Sequence, residues 1–395
     1  MPALVLTLAL LILTVGYFGL LGRYRRAVRH EPPYPPAVPD KSGDLPFLSV
    51  LVPARDEATV ILNCLAGLAA QDYPSDRYEI ILIDDHSTDG TAELVAARFP
   101  EIRVLSLREK VLGKGKKAAL TYGIRQSRGD LIVTTDADCL HPTGWLSALA
   151  DAHLSQGCAF ICAPVCIHPA RSFLDRLQAL DLAGYMLLTA GGVARGRPVL
   201  ANGANLAFSP QLFRQLGGYS GLEHVLGGDD VLLLQRARLR PDLAKIGFVS
   251  GRRALVSTLP APGWAAFWRQ RLRWAAKSRA YTDGVLVVVQ GWTWLLCGAL
   301  LFVFPLAGLL ESGLLAVAGL SAWVGKGLFD YFFLRTAVRH FGRPGNMAWF
   351  PLTELAHTAY IFAIGAAALA GAEVSWRGRS REKSNAEPAP ANPRT

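Results

Sequence analysis

The sequence predicts an α/β protein, with a mainly parallel sheet covered by helices on both faces and joined to α-helical membrane segments. Three observations predict it. Apolar strand patterns alternate with helical patterns of about ten residues from 47 to 135, the pattern of a parallel sheet with helices on both faces. Long apolar segments flank this region, one before it and three after it. Short acidic clusters fall just past strand ends, where open α/β sheets bind their ligands.

The chain has 395 residues, 51% of them hydrophobic and 18% charged. That length fits one or two domains. Ala3–Leu21 carries no charge and is just long enough to span a bilayer. Arg23, Arg25, Arg26 and Arg29 follow it. A secretory signal carries its positive charge before the apolar stretch, so residues 1–22 read as a retained anchor with a cytoplasmic flank. Residues 23–46 form a basic, Pro-rich linker, and the six prolines of Glu31–Pro46 make a stiff spacer.

Strand patterns cover Phe47–Val52, Glu79–Ile83, Ile102–Leu107 and Leu131–Thr135, with helical patterns at Thr59–Ala70, Thr91–Phe99 and Lys117–Gln126. From Ala159 the pattern loosens into a strand at Ala159–Val165, a helix with an apolar face at Phe173–Thr189, and a glycine-rich stretch. The expected globular domain runs over 47–262. In 263–283, Trp264, Phe267, Trp268, Trp274 and Tyr281 interleave with Arg269, Arg271, Arg273, Lys277 and Arg279, which describes a helix lying among lipid headgroups. Residues 284–373 hold the apolar segments Val285–Leu310, Leu314–Leu334 and Met347–Ala372. Lys326 and Asp330, four apart, are placed to pair on one helix face. Glu354 and His357 are expected to face a protein interior or a cavity.

The tail, 374–395, is basic and partly disordered in expectation. Its Arg377, Arg379, Arg381 and Lys383 conflict with the anchor: three further crossings place them outside, against the positive-inside tendency. Either one terminal segment is re-entrant or interfacial, or the tail departs from that tendency. The net charge of +10 lies largely beside apolar segments, which suits anionic lipid headgroups rather than nucleic acid. Of six cysteines, Cys158, Cys162 and Cys166 would share one strand face as buried small hydrophobes. They match no zinc or iron–sulfur pattern, and a cytoplasmic domain keeps them reduced.

The chemistry begins at Asp136-Ala137-Asp138, directly after the apolar run 131–135. On an extended chain alternate residues point the same way, so both acids face one spot. Adjacent carboxylates repel unless a cation or proton joins them, and a hard divalent ion carrying a diphosphate is the natural occupant. Asp84-Asp85-His86-Ser87-Thr88-Asp89-Gly90-Thr91 follows the second strand. There Ser87 or Asp89 can cap the next helix, whereas Asp85 is placed to accept from a nucleotide base or ribose. The first strand ends in Pro53-Ala54-Arg55-Asp56-Glu57. Gly113-Lys114-Gly115-Lys116-Lys117 lacks P-loop spacing but suits phosphate groups. In Gly227-Gly228-Asp229-Asp230 one acid can cap the following helix and the other can take a proton from an attacking hydroxyl. Gln270-Arg271-Leu272-Arg273-Trp274 supplies an amide, cations and an indole plane.

This ordered set resembles the family-2 inverting glycosyltransferases of GT-A fold, in their membrane-integrated branch. The matching pieces are VPARDE (52–57), IDDHSTDGT (83–91), GKKAAL (115–120), TDADC (135–139), GGDD (227–230) and QRLRW (270–274). Trp376-Arg377-Gly378-Arg379 also resembles a tail of bacterial members, and Asp56-Glu57 stands where the family often has Asn-Glu. The resemblance implies that Glu57 and Asp85 contact the base and ribose of a sugar nucleotide of uridine type, and that Lys116 lies near the donor. It implies that Asp136 touches ribose or metal, that Asp138 binds Mg2+ or Mn2+ through the diphosphate, and that Asp230 is the general base. Gln270, Arg273 and Trp274 would hold the diphosphate and the acceptor end. The implied reaction is one in-line displacement with inversion. Its acceptor is a lipid or lipid-linked group, or alternatively a growing glycan extruded by a processive synthase; the few apolar segments favour the lipid. A non-catalytic nucleotide-sugar-binding membrane protein, and a transporter, are the other classes weighed. The implied location is the inner membrane, with the catalytic domain cytoplasmic.

Overall fold

The computed structural model describes residues 1–30, 45–107, 114–223, 225, 227–277, 280–281, 283–341, 344–372, 375–376 and 379–380. Most of the Pro-rich spacer, Gly113 of the basic loop, and most of the tail with Arg377 and Gly378 lie outside the described residues. The chain opens with α1 (Pro2–His30). β1 (Leu48–Ala54), α2 (Ile61–Ala69), β2 (Tyr78–Asp84), α3 (Thr91–Arg98), β3 (Arg103–Ser106), α4 (Lys116–Gln126) and β4 (Leu131–Thr134) then alternate, as the hydrophobic pattern predicts. Next come β5 (Cys139–Leu140), α5 (Trp145–Gln156), β6 (Phe160–Cys162), β7 (Val165–Ile167), α6 (Phe173–Ala194), β8 (Leu206–Phe208), α7 (Pro210–Gln215), α8 (Val231–Arg238), β9 (Ile246–Phe248) and β10 (Val256–Thr258). The helices α9 (Gly263–Lys277), α10 (Gly284–Leu309), α11 (Gly313–His340) and α12 (Phe350–Leu369) follow, then a short hairpin of β11 (Ser375–Trp376) and β12 (Arg379–Ser380).

The main sheet has the order β3-β2-β1-β4-β8-β6-β9. β3, β2, β1 and β4 run parallel, β8 is antiparallel to both its neighbours, and β9 is parallel to β6. β1 lies inside, and Leu48, Val50, Leu51 and Val52 are wholly buried. A strand covered on both faces must be apolar at successive positions, so this run gave no alternation to read. A second sheet, β5-β10-β7, sits beside the end of β4.

Two expectations need correction here. The single strand expected at 159–165 is two strands in different sheets. Pro164 between them has no N–H for a ladder, so the pairing ends at Cys162 and resumes on a new partner. Cys162 and Cys166 therefore share no strand face, and Cys158 precedes the strand; the first two of the trio, Cys158 and Cys162, are buried thiols as expected. Helix α5 had no amphipathic signature because all of Trp145–Ala152 is buried.

The two sheets are joined through one polar side chain. Asn205 is fully buried and donates to the carbonyls of Pro164 and Ala254, each at 2.8 Å, while accepting from Trp145 Nε1 at 2.8 Å. Asn205→Leu leaves two carbonyls and an indole N–H unpaired and is expected to lower stability by about 3 kcal/mol or more. Chemical denaturation of the detergent-solubilised variant checks this.

Among the described residues four helices are long and apolar enough to cross a membrane: Pro2–Arg29, Phe173–Ala194, Gly284–Leu309 and Met347–Leu369. The sequence reading counted 314–334 in place of 173–194. The helix at 173–194 meets the length and hydropathy, but roughly two-thirds of its most apolar stretch is buried inside the protein. It wedges between the sheets and α1, α11 and α12. Indole N–H groups stitch the helices together, since an apolar surround offers them no water. Trp292 lies over Gly16 and donates to the Leu13 carbonyl at 2.8 Å, and Trp294 lies over Gly365 and donates to the Phe362 carbonyl at 3.0 Å. The pair predicted within one helix is a three-helix junction. Lys326 donates to Asp330 at 2.7 Å and to Glu354, and Tyr17 donates to Asp330 at 2.7 Å.

Candidate active site

Glu57, Asp85 and Asp136 lie just past the carboxyl ends of β1, β2 and β4. A parallel sheet gathers its strand-end loops on one edge, so three acids far apart in sequence reach one place. Asp85 is buried. One of its oxygens accepts from the Gly115 N–H at 3.1 Å, and the other lies 3.2 Å from His86 Nδ1. Gly115 has φ of 99°, a conformation that side chains disfavour, so the turn into α4 needs glycine. Ser87 or Asp89 was expected to cap α3; Gly90 holds the N-cap position, and Asp89, one residue before it, accepts from the Thr91 N–H of the first turn at 3.1 Å. Both also tie two loops together: Ser87 accepts from the Asp56 N–H at 3.0 Å and Asp89 from the Ala58 N–H at 2.9 Å. Asp56 does the same in return, accepting from the Thr88 N–H at 2.8 Å.

Asp136 and Asp138 do not sit on an extended strand as expected. β4 stops at Thr134, and the chain turns so that Cys139 N–H donates to the Asp136 carbonyl at 3.1 Å. The turn places Asp138 against the second sheet, where Thr258 of β10 donates to its carboxylate at 3.2 Å. Burial, and then the neighbouring Asp136, push the Asp138 carboxyl above its ordinary range.

Lys116 opens α4 and donates to Asp136, and its Nζ lies 3.3 Å from Asp229. Burial opposes the Lys116 charge, but Asp136 and Asp229 outweigh it and hold its pKa well above the usual lysine range. Burial likewise opposes the Asp229 charge, and Lys116 and Lys277 pull its pKa below the ordinary value. A Cβ on Gly203 would come within 2.8 Å of Asp229 Oδ2 and 3.0 Å of Lys116 Nζ, so a larger residue there displaces the tips of this ion pair. Of the two acids in GGDD, Asp230 occupies the N-cap of α8. It accepts from the Val231 N–H at 2.7 Å and from the Gly203 N–H at 3.1 Å.

Gln270, Arg273 and Trp274 project from α9 toward the same space. Sequence reasoning missed what holds them. Arg271 is buried, lies 2.7 Å from Asp181 of α6, donates to Gln270 at 2.9 Å and stacks 4.2 Å over the Trp274 ring. Tyr360 of α12 donates to Asp181 in turn. The only signal available was Asp181, an acid toward the middle of a helix with an apolar face.

Glu57, Asp85, Lys116, Asp136, Asp138, Asp230, Gln270, Arg273 and Trp274 all line one cavity of about 1020 Å3. It continues from the strand ends into the space between α6, α10, α11 and α12. Among the described residues no group of three or more His, Cys, Asp or Glu side chains forms a metal cage. Two neighbouring half-buried carboxylates, each raising the cost of the other's charge, fit a hard divalent ion that takes its remaining ligands from a diphosphate and water.

Residues 49–193 match the family described as Glycosyl transferase family 2, and residues 131–366, more than half of the chain, match Glycosyl transferase family group 2. A probable glycosyltransferase of Bacillus subtilis (strain 168), YdaM, is 28% identical over 240 residues, 59% of this chain and 55% of that protein. A beta-monoglucosyldiacylglycerol synthase of Nostoc sp. (strain PCC 7120) is 36% identical over 99 residues, 24% of this chain and 21% of that protein. The chain thus spans about half the length of the former and a fifth of the latter. The solved structure of the mannosyltransferase PcManGT from Pyrobaculum calidifontis has the same fold, with a TM-score of 0.59 and 22% identity over 93% of this chain and all of that one. The sheet order, the acids gathered at its strand ends and the match over more than half of the chain agree: this protein belongs to the family-2 glycosyltransferases and has the GT-A fold.

Proposed function

We propose that the protein is a membrane-integrated, inverting glycosyltransferase that moves a sugar from a nucleoside-diphosphate donor to a lipid or lipid-linked acceptor. One observation carries the reading: Asp85, Asp138 and Asp230 line a single cavity that continues between apolar helices. A site for a water-soluble acceptor has no need of that continuation. The names of relatives support a lipid acceptor: the beta-monoglucosyldiacylglycerol synthase above, and an undecaprenyl-phosphate 4-deoxy-4-formamido-L-arabinose transferase of Edwardsiella ictaluri, 34% identical over 111 residues. In this reading α1, α10, α11 and α12 cross the inner membrane, α9 lies at its cytoplasmic face, and 47–262 form the catalytic domain.

In the proposed mechanism Glu57 and Asp85 hold the base and ribose. Asp136 and Asp138 would hold Mg2+ or Mn2+, which neutralises charge on the diphosphate when bound. Lys116 and Arg273 bind the diphosphate oxygens and receive the charge that develops as it leaves. Gln270 and Trp274 bound the acceptor end. Asp230 takes the proton from the attacking hydroxyl, so the sugar is transferred in one displacement with inverted configuration. The leaving group is already a good one, so the acid that hydrolases use to protonate theirs is not required.

Purified enzyme in lipid nanodiscs, screened against UDP- and GDP-sugars, tests the reading. PcManGT was solved with GDP-Man and Mn2+, so both bases belong in the screen. The expected result is release of nucleoside diphosphate from one donor, its loss with EDTA and its return with Mn2+ or Mg2+. Release that persists in EDTA overturns the metal assignment. A ladder of soluble glycans in place of a single glycolipid makes the enzyme a processive synthase.

A further inference from the structure

A smaller cavity, of about 230 Å3, lies where the last turns of α1, the end of α6 and the start of α10 meet. Every charged side chain lining it is an arginine: Arg23 of α1, and Arg195 and Arg197 from the turn that ends α6. Among the described residues none of the three lies within ion-pair distance of a carboxylate. Asp283, the N-cap of α10 beside the cavity, is engaged elsewhere: it pairs with Arg238 and accepts from the Leu286 N–H at 2.9 Å. Fixed contacts hold the turn after α6. Gly196 takes a φ of 64°, and the Arg197 N–H donates to the Gly192 carbonyl at 2.8 Å. The backbones of α6 and α1 meet at Gly191, where a Cβ would come within 2.6 Å of the Tyr24 carbonyl oxygen. Arg195 lies 5.2 Å from the centre of the Tyr24 ring. Arginines at a helix C-terminus complement its dipole, which accounts for Arg195 and Arg197. It does not account for Arg23, which α1 brings to the same cavity.

Three guanidinium groups around one cavity, with no acid to match them, suit an anion, and their forked N–H groups suit a phosphate. The remaining walls say which kind. Leu20, Val285, Val288 and Val289 are apolar. Val288 is half exposed, as are Val287 on α10 and Val15 on α1, so apolar surface continues outward from the cavity along both helices. A soluble phosphate gains nothing from that surface, whereas acyl chains do. We infer that this cavity holds the head group of an anionic phospholipid, with its phosphodiester against Arg23, Arg195 and Arg197 and its acyl chains along α1 and α10. Basic hollows between membrane helices at the cytoplasmic face suit such head groups. The lipid is a resident one and not the sugar acceptor. Tyr24 packs with Leu200, Val231 and Leu286, which line the catalytic cavity, and this cluster stands between the two chambers. The inference rests on reading α1 and α10 as helices that cross the membrane, and it needs no donor chemistry.

Alkaline carbonate extraction comes first. Protein kept in the membrane pellet secures the crossing helices, and protein released by it overturns them and the lipid site together. Full-length protein in phosphatidylcholine nanodiscs is then photolabelled with a trace of phosphatidylglycerol bearing a diazirine near its glycerol, and the labels are mapped by mass spectrometry. Labels are expected at 20–24 of α1 and 284–289 of α10. Excess phosphatidylglycerol should remove them, and excess glycerol phosphate should not. Arg23→Gln, Arg195→Gln and Arg197→Gln should each lower labelling about five-fold, the worth of one basic residue at an anionic surface. The double variant Arg26→Gln, Arg29→Gln removes two exposed arginines of the same helix that lie outside the cavity, and should leave labelling unchanged. An equal loss from that double variant makes the attraction diffuse and overturns the site. Competition by glycerol phosphate, or equal labelling by a phosphatidylcholine probe, overturns the anionic lipid. The wild-type map decides even where a variant fails to fold: labels absent from both segments overturn the proposal. Labels at both segments in a protein that releases no nucleoside diphosphate in the donor screen support the lipid site and count against the catalytic reading alone.

Discussion

Asp230→Asn is expected to lower sugar transfer by about a thousand-fold while donor binding and folding persist. The size follows from losing a positioned base, which is worth roughly 10²–10⁴ in rate. The persistence follows from geometry. Asp230 accepts backbone N–H groups from Val231 at 2.7 Å and Gly203 at 3.1 Å, and it occupies the N-cap of α8. Asparagine is as good an N-cap as aspartate, and its carbonyl oxygen can keep one of the two bonds. What it cannot do is carry away a proton. Asp229→Asn is the necessary companion. Asp229 is buried and lies 3.3 Å from Lys116, so its neutralisation leaves the ammonium with one competing acid fewer and should tighten binding of the anionic donor while turnover persists. Isothermal titration with the nucleoside diphosphate, beside single-turnover kinetics, separates the two. If Asp229→Asn loses turnover at full donor affinity and Asp230→Asn does not, the base is Asp229.

The part of this site legible in the sequence was the part built from local pattern. Strands 48–54, 78–84 and 131–134 are apolar runs, and an acid after such a run can be placed at the sheet edge from the sequence alone. The chain also revealed its apolar helices by length. What stayed hidden depends on contacts between distant segments. Asp138 meets Thr258 across 120 positions, and Arg271 meets an acid 90 positions earlier, in a helix whose local pattern shows only an apolar face. Nothing in the local pattern near 326 foretells that Glu354 closes the Lys326–Asp330 pair. The turn at Asp136 was misread because Asp-x-Asp on a strand and in a turn has the same letters. Only the second sheet, whose strands are two or three residues long, decides between them. Strands that short carry too few residues for a period to show.

Asp138→Ala is expected to abolish metal-supported transfer, by about a thousand-fold or more, and with it the binding of Mn2+ in the presence of the nucleoside diphosphate. The two acids of this motif are not equivalent. Asp136 already faces a cation, since Lys116 donates to it. Asp138 lies farther inside, with Thr258 donating to it at 3.2 Å, and its charge is opposed first by burial and then by Asp136. A divalent ion therefore relieves Asp138 more than Asp136, and the loss of Asp138 removes the ligand whose charge is least satisfied without it. Asp136→Ala should be the milder lesion, because Lys116 keeps Asp229 and stays within reach of the diphosphate. Thr258→Val preserves shape and removes the hydroxyl that orients Asp138, and it should weaken Mn2+ about ten-fold, the usual cost of losing a support behind a ligand. Electron paramagnetic resonance of Mn2+ bound with nucleoside diphosphate reads all three without turnover. If Asp136→Ala and Thr258→Val cost as much as Asp138→Ala, the carboxylates share the ion equally; if Asp138→Ala leaves Mn2+ bound, the ion is held elsewhere and the strand-end acids serve the donor alone.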